Sequence, residues 1–563
     1  MQAKRVDDSN SRKSVSLPGR WLPPGDVRTT IEKMLASPKS PLHGIVAICS
    51  VAQACLLLSC ASLKTNPAWN PEASAPPSPE ATWIPPKGKP APQSLDELLS
   101  LPPVPSEQTP ASDLPSKANA AKILQRLGEG IPPSSEEEPL ELAELVDIAL
   151  SKNPSTRESW QRARAAAAEL GESMGDYYPQ VRFEAAGGPQ KFPMEFPQGT
   201  AVVRQLEILP ELQITYVLLD FGRRTAKAEA ARRMLEAANY SFNREIQRVI
   251  YQVQASFYQF DAARALEVAA TRNLELARSV QQDVGERLEL GLATRPDYLL
   301  ARQVEAQAVY DLESARTGVF NSRAKLALVM GLAANAPLHV ESLFEQPLPP
   351  QLDREVDQMI DTSLALRPDL QAQVAQLRAS EARLAKAKAD FFPVIGLEGS
   401  YGVNWWSYGI TGANGAASTG HRRHNIDSVY EALVVIEWPL FEGFERFNRL
   451  RKARAEQRQN VERLRELELR ATNQVWSVYY DYEAAYRKYD YGVSLLAASQ
   501  EAYEAIRESY DVGLSTIDNL LRAERDLASA RYTLIGSRAG LLSTSAQLAF
   551  ALGEVTAGRQ SRP

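Results

Sequence analysis

The pattern of apolar and polar residues predicts a fixed succession of elements in the first half of the chain. Residues 141–176 are rich in alanine and favour a helix, which a proline at position 179 would stop. Two segments, 181–185 and 212–218, then alternate apolar and polar residues with period two, which is typical of strands with two different faces. Residues 221–290 contain no proline and favour one long helix, and a further helix is expected at 295–331. The predicted order is helix, strand, strand, long helix, helix.

The second half repeats this pattern. LVDIALSKNP at 145–154 matches MIDTSLALRP at 359–368, an offset of 359 − 145 = 214. From Leu218 against Leu440 onward the offset is 440 − 218 = 222, and it holds as far as Gly331 against Gly553. Because chance seldom preserves one register over so long a stretch, we infer an internal two-fold repeat. The first repeat is placed at 141–340 and the second at 352–557.

The lengths of the predicted helices indicate antiparallel coiled coils. A helix over 221–290 or 444–512 would be roughly 100 Å long, and the returning helix of each repeat would be about half that length. The first helix of each repeat can supply the other half. Each coiled coil would fold back at a Gly-Leu-x-Thr turn, in which glycine supplies a positive φ and threonine caps the next helix. The turn residues of interest are Gly291, Leu292 and Thr294 in the first repeat and Gly513, Leu514 and Thr516 in the second.

The four predicted strands require partners from other chains if they lie in a membrane. Four strands cannot close a barrel, and an open edge in lipid leaves backbone groups unpaired. A dimer would give eight strands around a filled interior, whereas a trimer would give twelve and leave room for an aqueous lumen, so we favour the trimer. Leu212 and Ile214 would then face lipid, and Gln213 and Thr215 would face water. A soluble antiparallel sheet is the alternative for the strands alone.

The tips of the two predicted hairpins differ in composition. The first is expected to be rich in proline, at Pro189, Pro193 and Pro197, and the second is a polar segment at 409–425 that reads GITGANGAASTGHRRHN. Its two histidines flank two arginines that would repel a cation, so a solvated loop is a better interpretation than a metal site. We therefore expect no bound metal.

The N-terminal region has the features of an exported lipoprotein. The apolar run at 44–59 is too short for an ordinary membrane-spanning helix and suits a signal peptide. It ends in Leu-Leu-Ser before Cys60, which resembles a bacterial lipidation site. Residues 1–59 are therefore interpreted as prefix and signal, with Met34 as the true start, and the proline-rich segment 60–140 as an extended tether. A short buried helix with chance cysteines is the alternative for the apolar run.

Composition and motifs exclude several classes of protein. The 563 residues carry a net charge of −6, and removing residues 1–59, with eight basic and four acidic side chains, takes it to −10, so a nucleic-acid partner is not expected. All three cysteines lie between positions 49 and 60, which excludes a disulfide framework elsewhere. Common catalytic and nucleotide-binding motifs are absent from the sequence, and it contains only four histidines. We expect no enzymatic activity and no cofactor.

Taken together, the repeat, the strands and the turns resemble the outer-membrane efflux protein family of TolC-like channels. The resemblance rests on Tyr-Tyr-Pro at 177–179 and Phe-Phe-Pro at 391–393, on the segments LLDFGR at 218–223 and LFEGFER at 440–446, and on the two Gly-Leu-x-Thr turns. It implies an α+β membrane protein, a homotrimer with a shared 12-stranded barrel and a helical periplasmic tunnel. Such a channel exports solutes and docks through its tips onto a periplasmic adaptor and an inner-membrane pump. Many relatives are outer-membrane lipoproteins, which fits Cys60.

Two other functions remain open from the sequence. A periplasmic coiled-coil adaptor would also contain long helices, although with one hairpin rather than two matched repeats. A structural envelope lipoprotein without transport is the second possibility.

The tip residues also suggest how a gate would be built. In the best-known member of the family, two aspartates one helical turn apart follow the second turn and form acidic rings, and the matching positions here are Asn519 and Arg522. The first repeat has Asp297 and Leu300 at those positions. We expect a bridge from Arg522 to Asp297 that holds the tip shut. The alternative is that Arg522 points to solvent or to a nearby acidic residue, Glu524 or Asp526.

Overall fold

The structure is a computed structural model that describes residues 75–84, 139–196, 199–342, 348–411 and 423–555. The chain divides into two compact units, one built from the strands and one from the helices. The predicted signal segment, Met34, Cys60 and most of the predicted tether lie outside the described residues.

Eight helices carry the helical unit within the described residues, four from each half of the chain. The first four are α1 Leu142–Lys152, α2 Pro154–Gly175, α3 Arg223–Glu289 and α4 Arg295–Val329. The second four are α5 Val356–Leu366, α6 Pro368–Ala389, α7 Glu445–Asp511 and α8 Ile517–Leu552. The same order of elements therefore occurs in both halves, and the long helices and returning helices predicted from the sequence are confirmed.

The single helix predicted over 141–176 is wrong, because the chain breaks it at Asn153. Asn153 has an extended backbone, and its side chain accepts a hydrogen bond of 2.8 Å from the Ser155 backbone N–H. Pro154 then starts α2, a position where its missing N–H needs no partner. The second half repeats this break at Arg367, before Pro368.

Helices from one half of the chain pack against helices from the other half. The sequence predicts only a separate coiled coil within each repeat. Each long helix packs against its returning helix, α3 against α4 and α7 against α8. In addition, α6 packs against both α3 and α7, and α8 packs against α3. A core cluster joins α1, α3 and α4 through the fully buried side chains of Leu145, Phe242 and Leu326. Burial of side chains this size stabilises the fold by about 2 kcal/mol each.

The strand unit is one four-stranded sheet in the order β1-β2-β3-β4. Its strands are β1 Gln180–Phe196, β2 Gly199–Leu219, β3 Val394–Thr411 and β4 Arg423–Glu437, all longer than predicted. β1 and β2 are antiparallel, and their register pairs Val181 with Ile214 and Phe183 with Leu212. Odd-numbered residues of β1 thus share a face with even-numbered residues of β2, as the period-two pattern predicted.

The prediction that the tip of the first hairpin is rich in proline is also wrong in part. Pro189 and Pro193 lie inside β1, paired with Leu206 and Val202. β1 is an edge strand of the sheet in this chain, where a residue without an N–H removes no ladder bond if it faces the open side. Pro197 lies outside the described residues. In the second hairpin, β3 continues to Thr411 and β4 begins at Arg423, so both ends of the predicted polar loop are strand.

Candidate functional site

The two hairpin turns of the helical unit have nearly the same backbone geometry. Gly291 and Gly513 have φ values of +76° and +80°, which confirms the positive φ predicted for both. The Leu292 N–H donates to the Arg287 carbonyl at 2.7 Å, and the Leu514 N–H donates to the Ser509 carbonyl at 2.8 Å. These bonds occupy the last carbonyls of α3 and α7. The turns therefore present their leucines outward: Leu292 is 75% exposed and Leu514 is 84% exposed in the single chain.

The threonine cap forms at the first turn only. Thr294 Oγ1 accepts from the Asp297 N–H at 3.4 Å, and Asp297 Oδ2 accepts from the Thr294 N–H at 2.9 Å, so the two residues form a capping box. Thr516 makes no side-chain cap, so that prediction is wrong. The reciprocal bond of a capping box is also impossible there, because the matching third helical position holds Asn519 instead of an acid. Its Nδ2 lies 3.4 Å from Ser515 Oγ.

The gate candidates do not make the pairing expected from the sequence. Arg522 Nη2 lies 2.8 Å from Asp518 Oδ2, one turn earlier on α8. Asp297 is already bonded to Thr294, with 2.7 Å between Thr294 Oγ1 and Asp297 Oδ2. Within this chain the Arg522 to Asp297 bridge is therefore replaced by a local pair. A pair one turn apart on one helix forms without ordering any distant element, which favours it over the longer bridge.

Arg522 and Asn519 lie together in a groove between α7 and α8 near the second turn. The groove has a volume of about 340 Å³, and Asp526 also lines it. Glu524, one of the two acidic neighbours considered for Arg522, is 4% exposed and belongs to the helix core instead.

Two ion pairs join the ends of α3 and α7. Arg287 Nη2 lies 2.9 Å from Asp511 Oδ1, and Arg507 Nη2 lies 3.6 Å from Asp283 Oδ2. Beneath them, a cluster of buried apolar side chains from α3, α4, α7 and α8 packs the two hairpins together. Its buried members are Val280, Val284, Ala301, Tyr503, Ile517, Leu520, Leu521, Ala523 and Leu527. The two tips therefore form one packed body.

Glu524 is an ionisable group next to this cluster. Burial raises the pKa of the Glu524 carboxyl to about 7, while the nearby charges of Arg507 and Arg525 act in the opposite direction. Its Oε2 atom has no hydrogen-bond partner in the described part of the chain. A buried carboxylate without a partner is unfavourable, so the neutral acid is the better tolerated form. The same carboxyl changes charge close to neutral pH.

The sheet has one polar and one apolar face. On the polar face, Glu207 Oε2 accepts from Gln190 Nε2 at 2.9 Å, and Glu207 Oε1 accepts from Asn404 Nδ2 at 2.8 Å. Gln190 and Glu207 are diagonal neighbours on β1 and β2, and Asn404 lies on β3, so the polar chain crosses three strands. On the other face, large apolar side chains are exposed, among them Val181, Phe183, Leu206, Ile208, Ile214 and Leu218. Val203 of β2 is buried, but none of the buried apolar clusters found in the described residues belongs to the sheet.

Metal-binding clusters and membrane-spanning helices are both absent from the described ranges. No group of three or more His, Cys, Asp or Glu side chains there could hold a metal ion. Among the helices of the described segments, none combines the length and the apolar character needed to cross a bilayer.

Sequence reasoning identified the turns but missed the ion pairs and the buried acid beside them. Arg287 and Asp511 are 224 residues apart, and no local pattern links them. Glu524 lies in an ordinary amphipathic helix sequence, where its burial depends on the neighbouring helices. The repeat offset is the one sequence signal for these ion pairs. It places the two turns at equivalent positions, and so predicts that residues beside one turn meet residues beside the other.

The comparisons with known proteins agree with this architecture. A family model described as outer membrane efflux protein matches the chain twice, at residues 145–332 and 359–554. Protein CyaE of Bordetella pertussis is 28% identical over 435 residues, which cover 75% of this chain and 86% of CyaE.

Solved structures resemble the chain in fold. The outer-membrane channel OprN has a TM-score of 0.62 at 22% identity, covering 73% of this chain and 90% of OprN. The Campylobacter jejuni CmeC outer membrane channel has a TM-score of 0.61 at 17% identity, covering 73% of this chain and 85% of CmeC.

Proposed function

Since the chain belongs to the outer membrane efflux protein family, we propose that three copies assemble into one channel, each giving four strands to a shared 12-stranded barrel and its helices to a periplasmic tunnel. The two matched halves of the chain would be the two copies of an ancestral unit. The channel would receive solutes from an inner-membrane pump through an adaptor protein and release them outside the cell.

One observation carries this proposal: the sheet is incomplete on its own. β1 and β4 are its two edges, and exposed apolar residues cover one face while a hydrogen-bonded polar chain covers the other. A lipid-facing barrel wall needs an apolar outer face, a polar lumen face and no free edge. Joining the β4 edge of one copy to the β1 edge of the next satisfies all three requirements. Twelve strands also leave an aqueous lumen, which eight would not.

The tips are proposed to dock the adaptor. Leu292 and Leu514 are exposed at the far ends of the two longest helical hairpins, and each turn is held by backbone bonds that do not involve the leucine side chain. Gly291, Thr294, Gly513 and Thr516 would shape the turns, and the leucines would supply apolar contact to the adaptor.

The gate is proposed to consist of Asp297, Asn519 and Arg522 at these tips. With Arg522 paired to Asp518, each chain would present a partly neutralised arginine to the entrance instead of the acidic rings of the best-known family member. Three copies of this position near a narrow axis would favour anions over multivalent cations.

The chain is further proposed to be anchored by lipid on Cys60 after removal of residues 1–59. The support is the apolar run that ends in Leu-Leu-Ser-Cys. Mass spectrometry of the mature N-terminus tests it: an acylated cysteine is expected, and a free N-terminus at another residue would refute it.

The channel itself is tested by reconstituting the purified protein in a planar lipid bilayer. We expect stepwise single-channel currents. An absence of current from protein that is trimeric and inserted would favour a structural envelope role. Protein extracted from membranes by carbonate or urea without detergent would favour a periplasmic adaptor.

A further inference from the structure

Residues 75–84, which we call the strap, are bound to the helical unit and do not behave as part of a free tether. The strap lies against α2 and α3, far from the start of α1 in sequence. Its first residue, Ala75, is 5% exposed and packs with Ala167 of α2 and Leu235 of α3. This corrects the interpretation of 60–140 as one uninterrupted tether.

Asn243 on α3 recognises the backbone of the strap at two points. Its Nδ2 donates to the Trp83 carbonyl at 2.7 Å, and its Oδ1 accepts from the Trp83 N–H at 2.8 Å. A carboxamide that pairs with both backbone groups of one residue imitates a neighbouring β-strand. Asn243 is 8% exposed, and a buried amide left unpaired costs about 1–3 kcal/mol. The strap therefore satisfies a group that α3 alone leaves without a backbone partner.

A second backbone contact lies seven residues earlier in the strap. Trp160 Nε1 on α2 donates to the Pro76 carbonyl at 2.9 Å. Together with the two Asn243 bonds, it fixes the strap on both sides of the turn at residues 79–80, and none of the three bonds uses a polar side chain of the strap. A proline at the first point suits this arrangement, because the contact uses its carbonyl and needs no N–H.

Two apolar side chains of the strap, Ala75 and Trp83, also contact the groove. At one end, the small side chain of Ala75 is buried against Ala167 and Leu235. At the other end, the Trp83 ring stands edge-on to Tyr240 of α3, with 5.1 Å between the ring centroids. Such aromatic pairs contribute about 0.5–1.5 kcal/mol beyond the burial of their surface. The groove thus contacts a small side chain and an aromatic side chain eight positions apart, on the two sides of the turn in the strap.

We propose that the groove between α2 and α3, lined by Trp160, Ala167, Leu235, Tyr240 and Asn243, is a binding site for a proline-containing peptide with a turn between its two ends, and that its occupant is the strap of the same chain. The site attaches the N-terminal region to the helical unit from residue 75, whereas the predicted tether 60–140 would first reach that unit at residue 140. It does not depend on whether the protein transports solutes.

The proposal changes the length of the tether. Only 75 − 60 − 1 = 14 residues then separate Cys60 from the bound strap. Fully extended, they span at most about 50 Å.

Hydrogen exchange of the full-length protein in detergent tests the site. In Asn243→Ala, protection of the Trp83 amide should fall about tenfold or more, because its acceptor is gone. Trp160→Phe removes the indole donor and keeps an aromatic ring, so it should raise exchange in the strap without exposing α2. Glu80→Ala is the matched control: Glu80 is exposed, and the groove contacts the backbone, so protection should stay as in the wild type.

A competition experiment provides the second arm. A synthetic peptide with the sequence of residues 75–84, added in excess to the wild-type protein, should compete for the groove and speed exchange at Trp83. The same peptide with its first alanine changed to leucine should compete less. Unchanged Trp83 protection in both Asn243→Ala and Trp160→Phe, with α2 and α3 still protected, would overturn the proposal.

Discussion

Arg287 Nη2 lies 2.9 Å from Asp511 Oδ1 and thereby joins the end of α3 to the end of α7. The Arg287 guanidinium also lies over the Tyr510 ring, 4.6 Å from its centroid. Arg287 lies four positions before the turn glycine Gly291, and Asp511 lies two positions before Gly513. The pair therefore links the two hairpin tips directly. Opening the tip by moving one hairpin away from the other would break this contact.

Removing the link should ease opening. We expect Arg287→Ala to raise the open probability or conductance in a planar bilayer by a few-fold, because a partly exposed ion pair contributes up to about 1 kcal/mol. Arg316→Ala is the control, since its ion pairs, with Glu313 at 2.7 Å and with Glu267 at 3.6 Å, both stay within the first hairpin. Equal effects of the two substitutions would mean that the Arg287 pair has no special role.

Stability should depend on pH through Glu524. Its pKa is raised from 4.5 to about 7, so between these values the folded protein binds more protons than the unfolded chain. Stability from this group is fully present below pH 4.5 and is lost as the pH rises towards 7, by up to about 3 kcal/mol. Thermal unfolding from pH 5 to 8 should show this decline.

Glu524→Gln isolates the effect. The amide keeps the shape of the neutral acid, so the variant should be more stable than the wild type at pH 8 and should show a flatter pH dependence. Glu504→Gln on the exposed side of α7 is the control and should follow the wild type. A Glu524→Gln profile that matches the wild type would show that the carboxyl does not titrate in this range.

Two glycines with the same backbone conformation should differ in their tolerance of a side chain. Gly331 and Gly291 have φ values of +74° and +76°, but a Cβ on Gly331 would lie 2.8 Å from the Lys152 carbonyl, whereas on Gly291 it would meet no atom within 4 Å. Gly291→Ala should therefore cost about 1 kcal/mol of backbone strain. Gly331→Ala should cost an additional ~1–3 kcal/mol for the overlap, measured by thermal unfolding. Equal losses would contradict the close approach.

The tip leucines should be needed for export and not for folding. In Leu514→Asp, an exposed apolar contact becomes a charge, so trimers should form normally while efflux in cells falls towards the level of a strain lacking the channel. Leu514→Met keeps the apolar surface and should retain efflux. Full activity of both Leu292→Asp and Leu514→Asp, singly and combined, would leave these residues with a structural role only.

Arg522 should limit conduction if it faces the entrance. Arg522→Ala is expected to raise single-channel conductance, and the wild type is expected to lack tight block by multivalent cations. Asp518→Asn releases Arg522 from its local pair and keeps its charge, so conductance should not rise in that variant. Strong cation block of the wild type, or unchanged conductance in Arg522→Ala, would place Arg522 away from the pore.

The sequence predicts the long-range plan of the fold better than its local details. Periodicity and the constant offset were sufficient to predict the long helices and the turns, because both features depend on the local sequence. Thr294 and Thr516 occupy equivalent positions, yet only Thr294 forms a cap, and only there does an acid at the third helical position, Asp297, complete a capping box. Pro154 gave a signal for the helix break, but helices often begin at proline as well as end before it.

Other features depend on contacts that no local pattern contains. The strap looks like the rest of a proline-rich segment until Asn243 and Trp160 are placed beside it. Pro189 and Pro193 suggest a turn, and their place in a strand follows only from the position of β1 at the sheet edge.

Cross-linking between sheet edges tests the shared barrel most directly. Glu184 on β1 and Glu431 on β4 are exposed, and two strands separate β1 from β4 within one sheet, roughly 14 Å across. With both residues changed to cysteine, a short bismaleimide cannot reach within that sheet but can join adjacent copies. We expect a ladder of products in membranes that ends at the covalent trimer. A ladder that ends at the dimer, or continues past three, or no intermolecular product at all, would contradict it.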